Sequence, residues 1–423
     1  MANQREPEAN CVQQKTLEQL EQPGTRKLYY EDSHRKSCTA MVRACQATEQ
    51  GYDVIVDQTV LFPTGGGQQT DLGAMGPAKV LACREEGDEV IHLVDAPLTP
   101  GETVTITLDW ERRFDYMQQH TGEHLLSFGA YHLFGAANVG FHLADSYTTI
   151  DFDKPLTKEQ LTQMEDLANR FVWENLPVEA RVYPDEDAIA ELPLRKHAEG
   201  LKAPIRIVSI EGADCCTCCA PHCRRTGEVG LIFIIDAAAY KGGTRVTFLC
   251  GKRAVASLRG EHEALDRLAR RFSTSRELTE SAVIKRCDEY SALKRQERSL
   301  IAQLNGYVTA QLAASAETVG KWKLVTALLD DIDGGRLKDL AQGVAKPGVL
   351  AALFAKSQEK LLYVIACGEG FPVDAGELAQ AVNAAINGKG GGRGTLAQGM
   401  SATLSGAEQA VEQVHDYLTR RLR

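Results

Sequence analysis

Two short motifs constrain this chain more than any other feature. QHTGEHLL, residues 119–126, sets His120 and His124 four apart, on one face of a helix predicted from about Tyr116 to Phe134. Far downstream, DCCTCCAPHCRRTGEVG, residues 214–230, sets Cys218 and His222 at the same offset. Pro221 stands between those two, so they are expected on a loop beside a strand rather than on a helix. Together the motifs offer three imidazoles and one thiolate, a donor set suited to one tetrahedral zinc ion per chain. A fold that uses both must bring a helix and a distant loop to one point. Spacing alone does not choose the cysteine. Cys215, Cys216, Cys219 and Cys223 lie in the same run, and the pairs Cys215–Cys218, Cys216–Cys219 and Cys219–Cys223 would also serve, for instance in a separate structural zinc knuckle. HTGEH also fits the H-x-x-E-H pattern of inverted zinc metallopeptidases, with Glu123 as base and a downstream carboxylate as third ligand.

The cysteines bear on compartment as well. Five of the twelve fall between Cys215 and Cys223, a clustering that points to metal or catalysis in a reducing cytoplasm rather than to disulfides. The opening MANQREPEAN is polar and lacks the apolar core of a secretory signal. No stretch of about 18 uncharged apolar residues reads as a membrane span. With 43% hydrophobic and 25% charged residues, the chain is expected to be globular and not disordered or purely coiled coil. A net charge of −10 makes it a poor general binder of nucleic acid, so any such contact requires a local basic face.

Punctuation and periodicity divide the 423 residues. The fold class expected is α+β multidomain. Residues 1–26 read as an N-terminal extension. Residues 27–110 carry short apolar runs (Tyr52–Val56, Lys79–Cys83, Glu89–Val94, Val104–Leu108) between Gly and Pro, as in a small β-barrel. Residues 111–250 alternate helix and strand around the two motifs. They form the expected zinc-binding core, with a second helix at Lys158–Glu174 and strands at Tyr147–Phe152, Pro204–Ile210, Gly230–Asp236 and Arg245–Cys250. Residues 251–319 read as a helical hairpin of coiled-coil character, with Val255, Leu258, Leu265 and Leu268 on its first arm and Leu293, Leu300, Ile301 and Leu304 on its second. Its stretch 252–300 holds twelve basic and eight acidic residues, net +4. Residues 320–423 read as a small α/β domain with a C-terminal helix; strands are expected at Lys323–Leu329 and Lys360–Ala366, helices at Arg336–Val344 and Asp374–Ile386.

Two glycine runs stand out. PTGGGQQTDLG, 63–73, places Gly65, Gly66 and Gly67 before Gln68. It is either a tight hairpin turn or a close backbone approach to a phosphate or ribose. In NGKGGGRG, 387–394, Lys389, Gly390, Gly391, Gly392 and Arg393 read as a flexible basic loop suited to phosphate. His142, in GFHLADSY, reads from the residues alone as a core histidine more than a pocket residue.

In this order, the motifs resemble the alanyl-tRNA editing proteins of the AlaX family, in their long form. These are free-standing relatives of the editing domain of alanyl-tRNA synthetase. The resemblance runs from TRKLYYEDS (25–33) through TVLFPTGGGQQTDLG, MQQHTGEHLL, GFHLADSYTTIDFD (140–153) and CCAPHCRRTGEVG to NGKGGGRGTLAQG (387–399), which looks like a DHH-associated domain. Many relatives carry Thr-His-Val where this chain has Pro221-His222-Cys223. The resemblance implies zinc ligands at His120, His124, Cys218 and His222. It implies a hydrolase that removes a wrongly attached serine or glycine from tRNA for alanine. It moves His142 toward a substrate-binding role beside Gly65–Gly67, and makes Thr121 and Gln68 the catalytic candidates. The tRNA would rest on the Lys389–Arg393 stretch and the basic hairpin. A homodimer through the hairpin or the C-terminal domain is the candidate assembly; no membrane is involved. The competing readings are a non-catalytic tRNA-binding scaffold with a structural zinc, and the metallopeptidase.

Overall fold

The computed structural model describes residues 24–195, 203–357, 359–402, 404 and 407–422, so nearly all of the expected N-terminal extension lies outside the described residues. The chain forms two compact units, Met1–Arg267 and Leu268–Arg423.

The first unit opens with β1 (Arg26–Lys27), β2 (Ser37–Thr48), β3 (Gly51–Val56), β4 (Gln58–Thr59), β5 (Gly73–Met75), β6 (Ala78–Glu86), β7 (Glu89–Val94) and β8 (Thr103–Leu108). β1 and β4 form a short parallel pair. The other six hydrogen-bond in the order β2-β3-β7-β6-β5-β8, and β8 returns to β2, so the circuit of pairs closes. Alternation explains the closure. Cys38, Ala40 and Val42 of β2 and Val104 and Ile106 of β8 point inward and are buried with Val54, Val56, Val80 and Val94.

One polar residue joins that core. His92 is fully buried on β7; its Nε2 faces Thr59 Oγ1 at 2.9 Å and its Nδ1 faces the Val54 carbonyl at 3.3 Å. Burial pushes its imidazole down to about 4. The unfolded chain takes up that proton near pH 6.5, whereas the fold refuses it until about 4. The stability contributed by neutral His92 is therefore complete above about pH 6.5 and is lost as pH falls toward the folded value, by roughly 3 kcal/mol. Thermal melts from about pH 7 to about pH 4.5 should show a shallower acid loss in His92→Gln than in wild type. Parallel profiles would remove His92 as the cause.

After this circuit comes α1 (Trp110–Phe134). Asp109 caps it, its carboxylate accepting from the Arg112 amide at 3.2 Å, which is why the helix starts six residues before the predicted Tyr116. From Tyr116 to Ser127 every residue of α1 is buried, so the helix runs through the interior and shows no single apolar stripe. Around it lie β9 (Asn138–Leu143), β10 (Thr148–Phe152), α2 (Lys158–Glu174), β11 (Val178–Tyr183), β12 (Ile205–Ile210), β13 (Cys215–Thr217), β14 (Ile232–Tyr240) and β15 (Gly243–Cys250). They make a four-stranded sheet, β14-β15-β10-β9, and a three-stranded one, β11-β12-β13. Leu125, Leu126, Ile150, Phe152, Met164, Phe171, Val246 and Phe248 form the core between α1, α2 and the first of these sheets.

The division between units falls within α3 (Gly251–Arg271). The second unit continues with α4 (Thr279–Ala314), β16 (Glu317–Val319), β17 (Trp322–Asp330), α5 (Gly334–Val344), β18 (Val349–Ser357), β19 (Lys360–Cys367), α6 (Ala375–Ile386), β20 (Lys389–Arg393), β21 (Leu396–Ser401) and α7 (Ala407–Leu422). Its six-stranded sheet has the order β16-β17-β18-β19-β21-β20. Leu293, Leu300, Ile301 and Leu304 of α4 stay exposed. What anchors this helix is its last turns, where Leu312 is buried with Leu337, Leu340 and Val344 of α5. The expected basic glycine loop is instead an ordered strand: β20 pairs antiparallel with β21 from Lys389↔Met400 to Arg393↔Leu396. Glycine is needed there because a Cβ on Gly390 would come within 2.4 Å of the Gly399 Cα. Lys389 and Arg393 lie exposed on this outer strand.

Candidate metal centre

Helix spacing puts His120 and His124 on the same side of α1, one turn apart. The opposing ligands come from the loop after β13, where Pro221 ends any regular pairing. Arg206 of β12 braces that loop by donating to the carbonyls of Cys218 (2.7 Å) and Ala220 (3.0 Å). Ser33 Oγ donates to the His222 carbonyl at 2.8 Å.

The loop and the helix converge. Cys218 Sγ lies 3.5 Å from His120 Nε2 and 3.2 Å from His222 Nε2, and the ligand atoms of His120, His124, Cys218 and His222 all fall within 4.8 Å of one another. In a tetrahedral zinc site with ordinary bond lengths, sulfur and nitrogen donors stand about 3.5 Å apart. All four side chains are buried or half-buried.

The protonation chemistry of Cys218 and His222 agrees with ligation; at His124 burial lowers the imidazole, but Cys216 and Asp214 outweigh it and raise it well above its ordinary value. Burial alone would push the Cys218 thiol up, but the His120 ring beside it, through charge and hydrogen bonding, outweighs that and holds it well below the ordinary thiol range, as a thiolate. Burial pushes the His222 imidazole down to about 3, so its ring is neutral.

Each ring is also gripped from behind. Gln68 Oε1 stands 3.0 Å from His120 Nδ1, Asp214 Oδ2 stands 2.9 Å from His124 Nδ1, and Thr121 Oγ1 stands 3.1 Å from His222 Nδ1. With Nδ1 so engaged, each imidazole has Nε2 left for a metal. The donor set therefore fits zinc in ligand type, spacing and outer support.

The expected site residues divide accordingly. The Gly65–Gly67 run is a tight turn: Gly65 and Gln68 exchange both backbone hydrogen bonds at 3.0 Å, and Gly66 and Gly67 adopt φ of 60° and 79°. A Cβ on Gly67 would meet the Phe141 ring at 2.7 Å. What the turn delivers is Gln68, whose Nε2 is buried and finds no partner within the protein. Thr121, expected to present its hydroxyl to the substrate, is fully buried and accepts from the Cys223 amide at 3.2 Å while facing His222. Its hydroxyl thus lies between the His222 ring and the Cys223 amide. His142 is exposed on β9, and its strand neighbour Phe141, on the opposite face, sits 4.9 Å from the His120 ring. Strand alternation thus places Phe141, and not His142, against the His120 ring. The Lys389–Arg393 stretch lies in the other unit.

The metallopeptidase pattern is not met, because the cluster's further members are Cys218 and His222 where a carboxylate is required. Glu123 instead accepts from Ser127 and Asn138. Among the described residues all eleven cysteines are free thiols. Cys216 joins a second buried group with His124 and Asp214, a set that the spacing of the cysteines did not single out.

Two family models match this chain: the threonyl and alanyl tRNA synthetase second additional domain at residues 205–247, and the DHHA1 domain at 322–420. The chain is 28% identical over 404 residues to the alanyl-tRNA editing protein Aarsd1 of Mus musculus, spanning 92% of this chain and 97% of that protein. It is 33% identical over 281 residues to Aarsd1-A of Xenopus laevis, spanning 65% of this chain and 67% of that protein. An alanine–tRNA ligase of Thermococcus kodakarensis is 30% identical over 410 residues, which are 94% of this chain but 44% of the ligase.

Proposed function

Because the chain belongs to the alanyl-tRNA editing proteins, we propose that it deacylates mischarged tRNA for alanine, with seryl-tRNA as its main substrate, at a zinc-containing site formed by His120, His124, Cys218 and His222. The single observation that carries this reading is the convergence of those four ligand atoms within 4.8 Å. A zinc ion held there by His120, His124, Cys218 and His222 would supply positive charge beside the ester.

The chain's own residues do the rest. Gln68 is fixed through its Oε1 on His120, which leaves its buried Nε2 as a donor of defined direction. A buried donor without a partner costs about 1–3 kcal/mol, a cost recovered when a substrate oxygen accepts from it. The ester carbonyl or the terminal ribose offers such an oxygen, and a donor that meets developing negative charge lowers the barrier. Phe141 packs on the His120 ring and limits its movement. The Gly65–Gly67 turn lets backbone approach where side chains would collide. In the second unit, exposed Lys389 and Arg393 on β20 suit contacts with the tRNA backbone.

Rejection of correct alanyl-tRNA follows from the chemistry of the missing hydroxyl. A site that hydrogen-bonds the serine side chain leaves polar groups unpaired when alanine enters. In single-turnover assays of seryl-, glycyl- and alanyl-tRNA, hydrolysis should therefore be faster for the seryl than for the alanyl ester by about 10²-fold or more. Binding of all three without turnover would replace the editing reading by the scaffold one, and equal hydrolysis of seryl and alanyl esters would defeat the specificity.

A further inference from the structure

Of the three supports behind the histidine rings, two are neutral, Gln68 and Thr121, and one is charged. Asp214 immediately precedes β13 and is 1% exposed. Its Oδ2 reaches His124 Nδ1 at 2.9 Å. Arg195 closes the other side, with Nε 2.7 Å from Asp214 Oδ1 and Nη2 3.1 Å from Oδ2. Cys216 Sγ completes the cluster, 3.4 Å from Asp214 Oδ2, 3.5 Å from His124 Nδ1 and 3.5 Å from Arg195 Nη2.

Two chemistries fit three such groups. One is a second cation shared through His124. The other is a carboxylate that sets the ring from behind. Arg195 decides between them. Its forked guanidinium already neutralises Asp214, and a second cation would have to sit against it.

We propose that Asp214, itself held by Arg195, is the positioning residue that keeps the proton on His124 Nδ1 and so presents Nε2 to the zinc ion. The inference rests on the metal-centre reading above. The charged acceptor also makes His124 a stronger donor to metal than a ring backed by a neutral group. Its fixed geometry comes from the strand: β13 is paired to β12 through Ser209↔Cys215 and Val208↔Cys216, so Asp214 enters the interior at a set height.

The test uses the full chain. Zinc affinity is measured by competition with a chromophoric chelator for wild type, Asp214→Asn and Cys218→Ala. Asp214→Asn, which keeps the shape but not the charge, should bind zinc about 10–100-fold more weakly. Because Arg195 loses its charged partner, the zinc-free variant should melt below wild type, and affinity is compared at a temperature where both are shown to be folded. Unchanged affinity in the folded variant overturns the proposal. A second measurement needs no variant at the carboxylate. In zinc-loaded wild type labelled with 15N-histidine, long-range proton–nitrogen spectra should show His124 protonated at Nδ1 and metal-bound at Nε2; a metal-bound Nδ1 overturns it. Failure of the underlying reading looks different. Wild type would then take up no zinc, or Cys218→Ala would bind it as well as wild type.

Discussion

Cys218→Ala should lose tightly held zinc and slow seryl-tRNA hydrolysis by about 10²–10³-fold while the fold persists. Cys218 is the only anion among the four ligands. Its sulfur lies closest to two of the rings, 3.5 Å from His120 and 3.2 Å from His222. Removing it leaves three neutral imidazoles, each still pinned at Nδ1. Three imidazoles can hold zinc, so the readout must be affinity under chelator competition and not zinc content after purification. The loop itself should survive, because Arg206 and Ser33 hold its carbonyls and not its thiol. If the variant binds zinc as wild type does and turns over at the same rate, the metal centre lies elsewhere or plays no part.

The candidate ligand cluster was legible in part because two of its members obey a local rule. A four-residue offset on a long helix is visible in any sequence, and α1 carries it where predicted. The other pair was legible only as a candidate, since the loop around Pro221 has no periodicity from which to read direction. Choosing Cys218 over its neighbours required the family pattern; the structure shows why the neighbours differ. Cys216 points into the Asp214–Arg195 group, while Cys219 is exposed.

Supporting residues were hidden for a related reason. Gln68 and Asp214 reach the rings and Arg195 reaches Asp214, and no spacing rule connects them. In the sequence, Gln68 is marked only by the glycines that precede it. Which of Phe141 and His142 faces the His120 ring is a matter of strand phase, which a short segment such as GFHLAD does not declare. The glycine stretch at 388–394 misled in the opposite sense: composition suggests a loop, but a sheet edge that packs closely also selects glycine. β18 went unpredicted because VLAALFA has no alternation, as expected for a strand covered on both faces.

The largest effect on stability should come from a residue that touches no substrate. Arg113 and Asp71 are both fully buried and form an ion pair between α1 and the segment that follows the glycine turn. Arg113 Nε donates to Asp71 Oδ2 at 2.9 Å, Nη2 to the Val60 carbonyl at 2.7 Å, and Nη1 to the Ser33 carbonyl at 3.0 Å. The Phe62 amide donates to the same Asp71 oxygen at 2.7 Å. One guanidinium therefore fixes both ends of the segment that carries Gln68, and the residue, Ser33, that braces His222. Arg113→Met leaves a buried carboxylate uncompensated and two carbonyls without donors, which should cost about 3–5 kcal/mol. In a unit of this size that is a fall of roughly 10 °C in melting temperature. Arg113→Met/Asp71→Asn removes the stranded charge while keeping an acceptor for Phe62, so it should recover a large part of the loss. Both variants should reduce seryl-tRNA hydrolysis more than zinc affinity, because the Gln68 turn moves while α1 keeps its histidines. If the double variant is no more stable than the single, the cost lies in lost packing and not in an unpaired charge. If activity and zinc affinity fall together, the pair supports the metal centre itself and not the turn beside it.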